Sequence, residues 1–204
     1  DPSDMSLVNC IYAGAILDSR NSVSRAAISV SRVLGLFAEV LPISDDVSKL
    51  VAIREDGHLL PDESSIVEGR ASVRIRRLFL LKDWVDGERF KKFSGEDLTE
   101  LLQKLAVYPD ASPRALRLIS DAEVIVFCPG TQHSSLYPTY LLNGVGNAIY
   151  SNQQALKIFI VNIGADYETP QYAASDIIQG AVRYLNEGFR ANLSASDYFD
   201  IVLV

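Results

Sequence analysis

Three short apolar runs in the C-terminal part of the chain, separated by two helical segments, place the strongest constraint on the fold. The runs are EVIVFC, KIFIVN and YFDIVLV, and residues 134–150 and 172–188 between them have the apolar spacing of helices. A strand that is apolar at nearly every position belongs in a parallel sheet, because helices cover both faces of such a sheet. The sequence therefore predicts an α/β fold with a doubly wound, mainly parallel sheet.

The preceding part of the chain predicts a small β-region between helices. Helical spacing covers residues 4–18 and 22–37, FAEVLPI is strand-like, and a long strand is expected over 72–81. EDGH predicts a hairpin turn, since Asp and Gly both tolerate positive φ. We expect an inserted β-region over 38–81, and a surface connection plus a helix over 82–110. A short helix should follow, with Ser112 as its N-cap and Pro113 in its first turn.

Composition and charge restrict the classes of function. The 204 residues are 48% hydrophobic and 22% charged, which suits one globular domain. The net charge of −7 argues against a nucleic-acid-binding protein, which uses clustered Lys and Arg to neutralise phosphates. No apolar run is long enough to span a membrane and no signal-peptide pattern opens the chain, so we expect a cytoplasmic protein without membrane contact. Cys10 and Cys128 lie in apolar runs and are predicted to be buried, unpaired thiols.

The two ends of the chain are unusual for this fold class. The first helix has no strand and Gly-rich turn before it, and the last apolar run has no helix after it. We therefore expect the 204 residues to be one domain that forms part of a longer polypeptide.

Two polar loops are predicted to lie side by side, because ligands of parallel sheets bind beyond the carboxyl ends of the strands. The first, residues 129–135, combines Gly130 with the hydroxyls of Thr131, Ser134 and Ser135 ahead of a helix. The unpaired N–H groups of a first helical turn attract anions, so this loop has the composition of a phosphate cradle. The alternative is a plain strand-to-helix turn with Ser134 as its N-cap.

The second loop, NIGADYETPQY, carries Asn162, Asp166, Glu168 and Thr169. Carboxylates beside a phosphate site could hold Mg²⁺, act as a base or bind sugar hydroxyls. A solvated loop before a helix is the alternative, and composition does not decide between them. His133, in the first loop, has no acidic partner at a suggestive spacing, so we expect it to contact ligand or solvent rather than to catalyse.

The two loops and their surroundings resemble the CofD-like family, which includes gluconeogenesis factors and the 2-phospho-L-lactate transferases. In ISDAEVIVFCPGTQHSSLYPTYLLNGVGNAI and IFIVNIGADYETPQYAASDII, the matching positions are Pro129, Gly130, Thr131, Ser134, Ser135, Pro138, Leu141, Gly144, Asn162, Glu168, Thr169, Tyr172 and Asp176. Asn9 in SLVNCIYAGAI and the segment from Pro42 to Ile66 match earlier blocks of the family in the same order. Cys128 departs from the pattern, since it replaces the first Gly of the phosphate loop, and residues 165–167 replace a Gln-Pro-Gly.

The resemblance implies a Rossmann-like fold with a small inserted β-hairpin region and a site for a nucleotide diphosphate. One implied function is the binding of a nucleotide or a UDP-sugar-like nucleotide sugar, with a regulatory role in carbon or cell-wall metabolism. The alternative is Mg²⁺-dependent transfer of a phosphorus-containing group from a nucleoside diphosphate carrier to a deazaflavin precursor. A degenerate scaffold that has lost its ligand is a third reading.

The ligand-binding residues that the resemblance implies come from three places in the chain. They are Asn9, Pro129, Gly130, Thr131, Ser134, Ser135, Asn162, Glu168 and Thr169. Mg²⁺ as a cofactor and a homodimeric state are further expectations.

Overall fold

A computed structural model of the chain describes residues 6–67, 73–85, 90, 92–93, 95–164 and 166–204. It contains a parallel and an antiparallel sheet with helices packed against them, which confirms the predicted α/β class. No helix in these ranges is long and apolar enough to cross a membrane. The elements are α1 (Leu7–Asp18), α2 (Val23–Val33), β1 (Lys49–Arg54), β2 (Leu59–Leu60), α3 (Glu63–Val67), β3 (Ile75–Leu81), α4 (Gly95–Leu105), α5 (Pro113–Asp121), β4 (Val124–Phe127), a π-helical turn π1 (Gln132–Leu136), α6 (Tyr137–Tyr140), α7 (Val145–Ser151), β5 (Leu156–Ile160), α8 (Ala174–Phe189), α9 (Ala195–Tyr198) and β6 (Ile201–Leu203).

The C-terminal apolar runs form the parallel sheet, in the order β4-β5-β6. Phe127 of β4 pairs with Phe159 of β5, and side chains alternate across each strand, so both rings point to the same face. Phe199 joins them, with ring centroids 4.9 Å from Phe127 and 4.8 Å from Phe159. These rings, α6, α7 and α8 form the main hydrophobic core.

The opposite face of the parallel sheet is uncovered within the described residues, which corrects the expectation of helices on both faces. Val124 is 51% exposed, Val126 45% and Leu203 50%. Instead of covering this face, α1 packs on α2 and contains no buried residue. Apolar strands predict two covered faces, but they do not say which segment supplies the second cover.

The antiparallel sheet has the order β2-β1-β3 and holds the predicted hairpin. Asp56 and Gly57 form the turn, with Gly57 at φ 84°, and Asp56 accepts a hydrogen bond from the backbone N–H of His58. One face of this sheet joins the main core, and α4 covers the other through its buried Leu98 and Leu102. The predicted start of β3 at residue 72 lies outside the described residues.

Local patterns mispredicted three features. FAEVLPI is not a strand: residues 37–43 form bends and coil, Phe37 is fully exposed, and no strand pairing includes this segment among the described residues. Cys10 and Cys128 are both exposed rather than buried, although both are free as expected. Cys128 lies past the last residue of β4, so it belongs to the loop and not to the strand's core face.

The helix predicted over 134–150 is divided into π1, α6 and α7. Gly144 precedes α7 with φ 95°, a left-handed conformation that interrupts a right-handed helix and that glycine adopts without strain. Asn143, just before this break, binds another segment: its backbone N–H donates to Pro109 O at 2.9 Å, and its carbonyl oxygen accepts from Ala111 N at 3.1 Å. Apolar periodicity continues through the break, which is why the sequence alone predicted one helix.

Candidate functional site

The two predicted loops lie at the same edge of the parallel sheet. β4 and β5 are hydrogen-bonded neighbours, so the loop that follows β4 and the loop that follows β5 leave the sheet side by side at its carboxyl edge. The first loop continues directly into π1, and Thr131 is the residue that precedes this turn. The arrangement that the sequence predicted for the two loops is therefore present.

Asn162 joins the two loops by binding both the backbone N–H and the backbone C=O of Gly130. Its Oδ1 accepts from Gly130 N at 3.0 Å, and its Nδ2 donates to Gly130 O at 2.8 Å. Gln132, which the sequence analysis did not single out, also donates to Gly130 O, at 3.0 Å, and is fully buried. The side chain of Asn162 therefore positions the first loop.

Glu168 binds the backbone of the first loop in the same way. Its Oε2 accepts from His133 N and from Ser134 N, both at 2.9 Å, and the residue is only 3% exposed. Asp166 orients this segment, since its Oδ1 accepts from Glu168 N at 3.0 Å. These two N–H groups were expected to face a phosphate, but a carboxylate of the protein already occupies them. Negative charge is favourable at this position because the helix dipole and the unpaired N–H groups attract it.

Hydroxyl groups form the accessible part of the first loop. Thr131 Oγ1 lies 2.7 Å from Ser135 Oγ, and Ser134 Oγ lies 3.4 Å from the same atom. Thr131 and Ser135 are exposed and Ser134 is half-buried. Ser134 is not the N-cap of a regular helix, as the alternative reading held, because it lies inside π1. We call Thr131, Ser134 and Ser135 the hydroxyl cluster.

Gly130 follows the exposed Pro129 and does not have a positive φ, so its conformation does not require glycine. A Cβ at this position would meet Leu136 Cδ1 at 3.5 Å, which is ordinary van der Waals contact. The fold would therefore accept alanine here. Any requirement for glycine must come from a group that approaches the loop from outside.

His133 is buried, so of the two expected contacts, with ligand or with solvent, the structure excludes the contact with solvent. Its ring packs edge-to-face on Tyr137 and Tyr172, with centroid distances of 5.1 and 5.9 Å. Burial lowers the pKa of His133 to about 4, so the imidazole is neutral near neutral pH. Its Nδ1 is buried without a hydrogen-bond partner within the described part of the chain. A sequence signal for this packing existed in the spacing of His133 and Tyr137, which lie four residues apart.

Two other predicted site residues do not present a free side chain to the loops. Thr169 is 8% exposed and takes part in the turn through its backbone N–H, which donates to Asp166 O at 3.2 Å. Asn9 lies on the exposed surface of α1, and its backbone N–H donates to the N-cap Ser6. No hydrogen bond connects the Asn9 side chain with either loop among the residues that the structure describes.

The described residues do not form a ready set of protein ligands for Mg²⁺. Within the described ranges there is no group of three or more His, Cys, Asp or Glu side chains that could hold a metal ion. The Asp166 and Glu168 carboxylates each have one oxygen engaged with backbone N–H groups and a second oxygen that is buried without a partner. Mg²⁺ commonly takes one or two protein carboxylates and completes its six ligands with water and substrate phosphates, but the free oxygens of Asp166 and Glu168 are both buried.

Comparison with known proteins identifies the family. The model of the CofD family, described as 2-phospho-L-lactate transferase CofD, matches residues 7–204. This chain belongs to the CofD family. The resemblance that the two loops suggested is thereby confirmed over nearly the whole length of the chain.

Several relatives of this CofD-family chain carry the name gluconeogenesis factor. The "Putative gluconeogenesis factor" of Thermotoga maritima is 31% identical over 183 residues, which are 89% of this chain and 49% of that protein. The "Gluconeogenesis factor" of Bacillus subtilis is 26% identical over 190 residues, 93% of this chain and 51% of its own. A crystal structure from Bacillus halodurans, described as a member of the UPF0052 family, is 28% identical, with a TM-score of 0.67 over 91% of this chain and 51% of that one. The chain thus spans about half the length of the relatives that it matches.

Proposed function

We propose that the two loops of this CofD-family chain bind a phosphorylated small molecule, and that the site belongs to a transferase of a phosphorus-containing group of the 2-phospho-L-lactate transferase type. The observation that carries the proposal is the hydroxyl cluster at the carboxyl edge of the parallel sheet, in a loop held by the buried Glu168 and the half-buried Asn162. The match to the transferase family model supports the reaction class.

The geometry changes which groups are expected to contact the ligand. Glu168 takes the N–H groups of His133 and Ser134, and Asn162 takes that of Gly130. A phosphate would then be bound by the hydroxyls of the cluster, which can rotate to donate to its oxygens. The Glu168 carboxylate and the Asn162 amide hold the backbone of this loop, so we expect little reorganisation on binding.

A second candidate function is the binding of a nucleotide or nucleotide sugar without group transfer, in a regulatory role. The names of the relatives from Thermotoga maritima and Bacillus subtilis favour it, since both are called gluconeogenesis factors. A site that holds a diphosphate with preorganised donors serves binding and transfer equally well. The reaction itself therefore has to be tested.

Thr131→Val/Ser135→Ala is the sharpest test of the site, because it removes the two exposed hydroxyls that are expected to bind the phosphate. We expect the affinity for a nucleoside diphosphate, measured by calorimetry with GDP and with UDP-N-acetylglucosamine, to fall at least roughly tenfold, since each 1.4 kcal/mol of lost contact is a factor of ten. The substituted side chains offer no hydroxyl donor to the phosphate oxygens. Ser151→Ala, which removes an exposed hydroxyl on α7, should leave the affinity unchanged.

Incubation with a donor in which lactate is joined to a nucleoside through a diphosphate, together with a deazaflavin precursor as the acceptor hydroxyl, separates the two candidate functions when it is run with and without Mg²⁺. Release of the nucleotide product, followed by mass spectrometry, supports the transferase. Binding without turnover supports the regulatory function. Equal affinities of the wild-type chain and Thr131→Val/Ser135→Ala, or no binding of any of these nucleotides, would contradict the proposed site.

A further inference from the structure

A second polar cleft lies on the other side of His133, between β3 and α8. Its volume is about 460 Å³, and its floor is formed by Ile75, Tyr137, Gly180 and Tyr184. The hydroxyls of both tyrosines are already satisfied inside the protein: Tyr137 donates to Ile177 O, and Tyr184 accepts from Leu78 N. The floor is therefore a rigid aromatic surface, and the polar groups that could bind a ligand are on the rim.

Arginine side chains dominate this rim. Arg74, Arg76 and Arg183 line the cleft, against two carboxylates, Glu55 and Asp176. Three positive and two negative charges leave an excess of one positive charge, in a chain whose net charge is −7. The cleft is thus an exception to the acidic character of the whole chain.

One of the arginines, Arg74, is already engaged in contacts within the protein. Arg74 pairs with Asp176 at 3.3 Å, stacks 4.7 Å above the ring of Tyr172 and donates to the backbone oxygen of Gln171. The pair neutralises one of the two carboxylates on the rim and fixes the loop before α8. This leaves Glu55 as the second carboxylate of the cleft.

The other two arginines are exposed and lack acidic partners. No carboxylate pairs with Arg76 or Arg183 in the ranges that the structure describes. Arg183 Nη1 donates to the backbone oxygen of Arg76 at 3.1 Å, so the two residues are held next to each other across the gap between α8 and β3. A guanidinium group offers five N–H donors in a planar fork that matches the oxygens of a phosphate, and one bond to a carbonyl leaves most of them free.

His133 supplies the wall of the cleft nearest to the site loops. The ring is 2% exposed, and its Nδ1 has no hydrogen-bond partner within the described residues. A buried polar atom without a partner is costly, so such an atom in the wall of a cleft indicates a place where a bound molecule could satisfy it. The backbone N–H of the same residue is bound by Glu168, which links this wall to the first loop.

We propose that this cleft is a second binding site, distinct from the hydroxyl cluster, for a small molecule that carries a phosphate group. The forks of Arg76 and Arg183 bind the phosphate at the rim, and the remainder of the molecule lies over the tyrosine floor. This inference goes beyond the proposed function, because it does not depend on which nucleotide, if any, binds the two loops.

Calorimetric titration with inorganic pyrophosphate tests the proposal. The experiment uses a Thr131→Val/Ser135→Ala chain, which lacks the two exposed hydroxyls of the hydroxyl cluster, so that binding reports on the cleft. We expect this chain to bind pyrophosphate, and we expect the affinity to fall at least roughly tenfold when Arg76→Gln and Arg183→Gln are added, because both forks are lost. Arg117→Gln on α5, an exposed arginine that does not line the cleft, should have no effect.

The outcomes separate this site from the proposed function. Pyrophosphate binding that survives the loss of the hydroxyl cluster but not the loss of Arg76 and Arg183 supports the cleft site. Absence of binding in the Thr131→Val/Ser135→Ala chain, or equal affinity after the two arginine substitutions, overturns it. Circular dichroism of each variant checks the fold, and both arginines are exposed, so little destabilisation is expected.

Discussion

At the scale of single residues, the first loop is held by two side chains of the second loop that bind its backbone. Glu168 and Asn162 bind the backbone at positions 35 and 32 residues away in the chain. A carboxylate buried in this way is stabilised by charge-assisted hydrogen bonds, which are stronger than neutral ones. Both residues were expected to face a ligand. They instead bind the backbone of the loop that carries the hydroxyl cluster.

We predict that His133 makes the free energy of unfolding depend on pH. Burial lowers the pKa of His133 to about 4, while an unfolded chain has the ordinary value of 6.5. Between these values the unfolded state binds a proton that the folded state does not, so the free energy of unfolding is highest above pH 6.5 and falls as the pH drops toward 4. The expected loss is at most about 3 kcal/mol, at 1.36 kcal/mol per pKa unit.

Urea denaturation at several pH values between 7 and 4.5 measures this loss. In His133→Phe, which keeps a ring against Tyr137 and Tyr172, the fall in stability over this window should be smaller than in the wild-type chain by the contribution of His133. His58→Gln, at the exposed hairpin turn, should retain the wild-type pH dependence. An unchanged pH dependence in His133→Phe would show that the buried imidazole does not control acid stability.

At the scale of secondary-structure elements, close approach to α8 organises the core beside the site. A Cβ on Gly188 of α8 would lie 2.6 Å from Tyr140 O, and one on Gly146 of α7 would lie 2.7 Å from Leu185 O. Real Cβ atoms do not approach backbone so closely, so these glycines set the spacing between α8 and the two short helices that follow π1. The loop is thereby fixed to the core at its C-terminal end.

We predict that glycine-to-alanine substitutions in two helices, α8 and α1, change the stability in opposite directions. Gly188→Ala should destabilise the chain by about 2 kcal/mol, because the methyl group forces backbone to move. Gly14→Ala in α1, where nothing lies within 4 Å of the added Cβ, should raise stability by about 0.5–1 kcal/mol through helix propensity alone. Thermal or urea unfolding of both variants gives the comparison. A Gly188→Ala chain as stable as the wild type would mean that α8 can shift without cost.

At the scale of the whole molecule, the uncovered face of the parallel sheet is an exposed hydrophobic surface. Five exposed apolar side chains from all three strands share it: Val124, Val126, Leu156, Ile201 and Leu203. Contiguous apolar surface of this kind marks an interaction site in soluble proteins. The relatives that this CofD-family chain matches are about twice as long as the chain. Any study of the 204 residues alone therefore has to take into account that this apolar face is exposed.

The whole-molecule prediction is that two copies of the chain associate through this face, in line with the expected homodimer. Sedimentation of the wild-type chain should show a dimer in equilibrium with monomer, and Val126→Lys with Leu203→Lys should shift the equilibrium to monomer, because each buried charge costs several kcal/mol. Val33→Lys, at an apolar position on α2 that is 87% exposed and away from the sheet, is the matched control. A wild-type chain that remains monomeric at all concentrations would contradict the prediction.

The sequence by itself determined the elements whose signals are local. The Asp56-Gly57 hairpin needs positive φ at its turn, and the apolar runs around Phe127 and Phe159 identify neighbouring parallel strands. Both signals depend only on residues close in the chain. The same reasoning placed the two polar loops at one edge of the sheet, since the carboxyl ends of parallel strands meet there.

Only the tertiary structure decided which side chains of these loops remain available. Glu168, Asn162 and His133 are as polar as the residues of the hydroxyl cluster, and composition does not distinguish a group that binds ligand from one that binds backbone. That distinction depends on contacts between segments more than thirty residues apart, which become definite only when the strands pair and α8 packs on the core. The exposed face of the parallel sheet and the arginine cleft beside α8 arise in the same way, because burial belongs to the assembled fold and not to any local pattern.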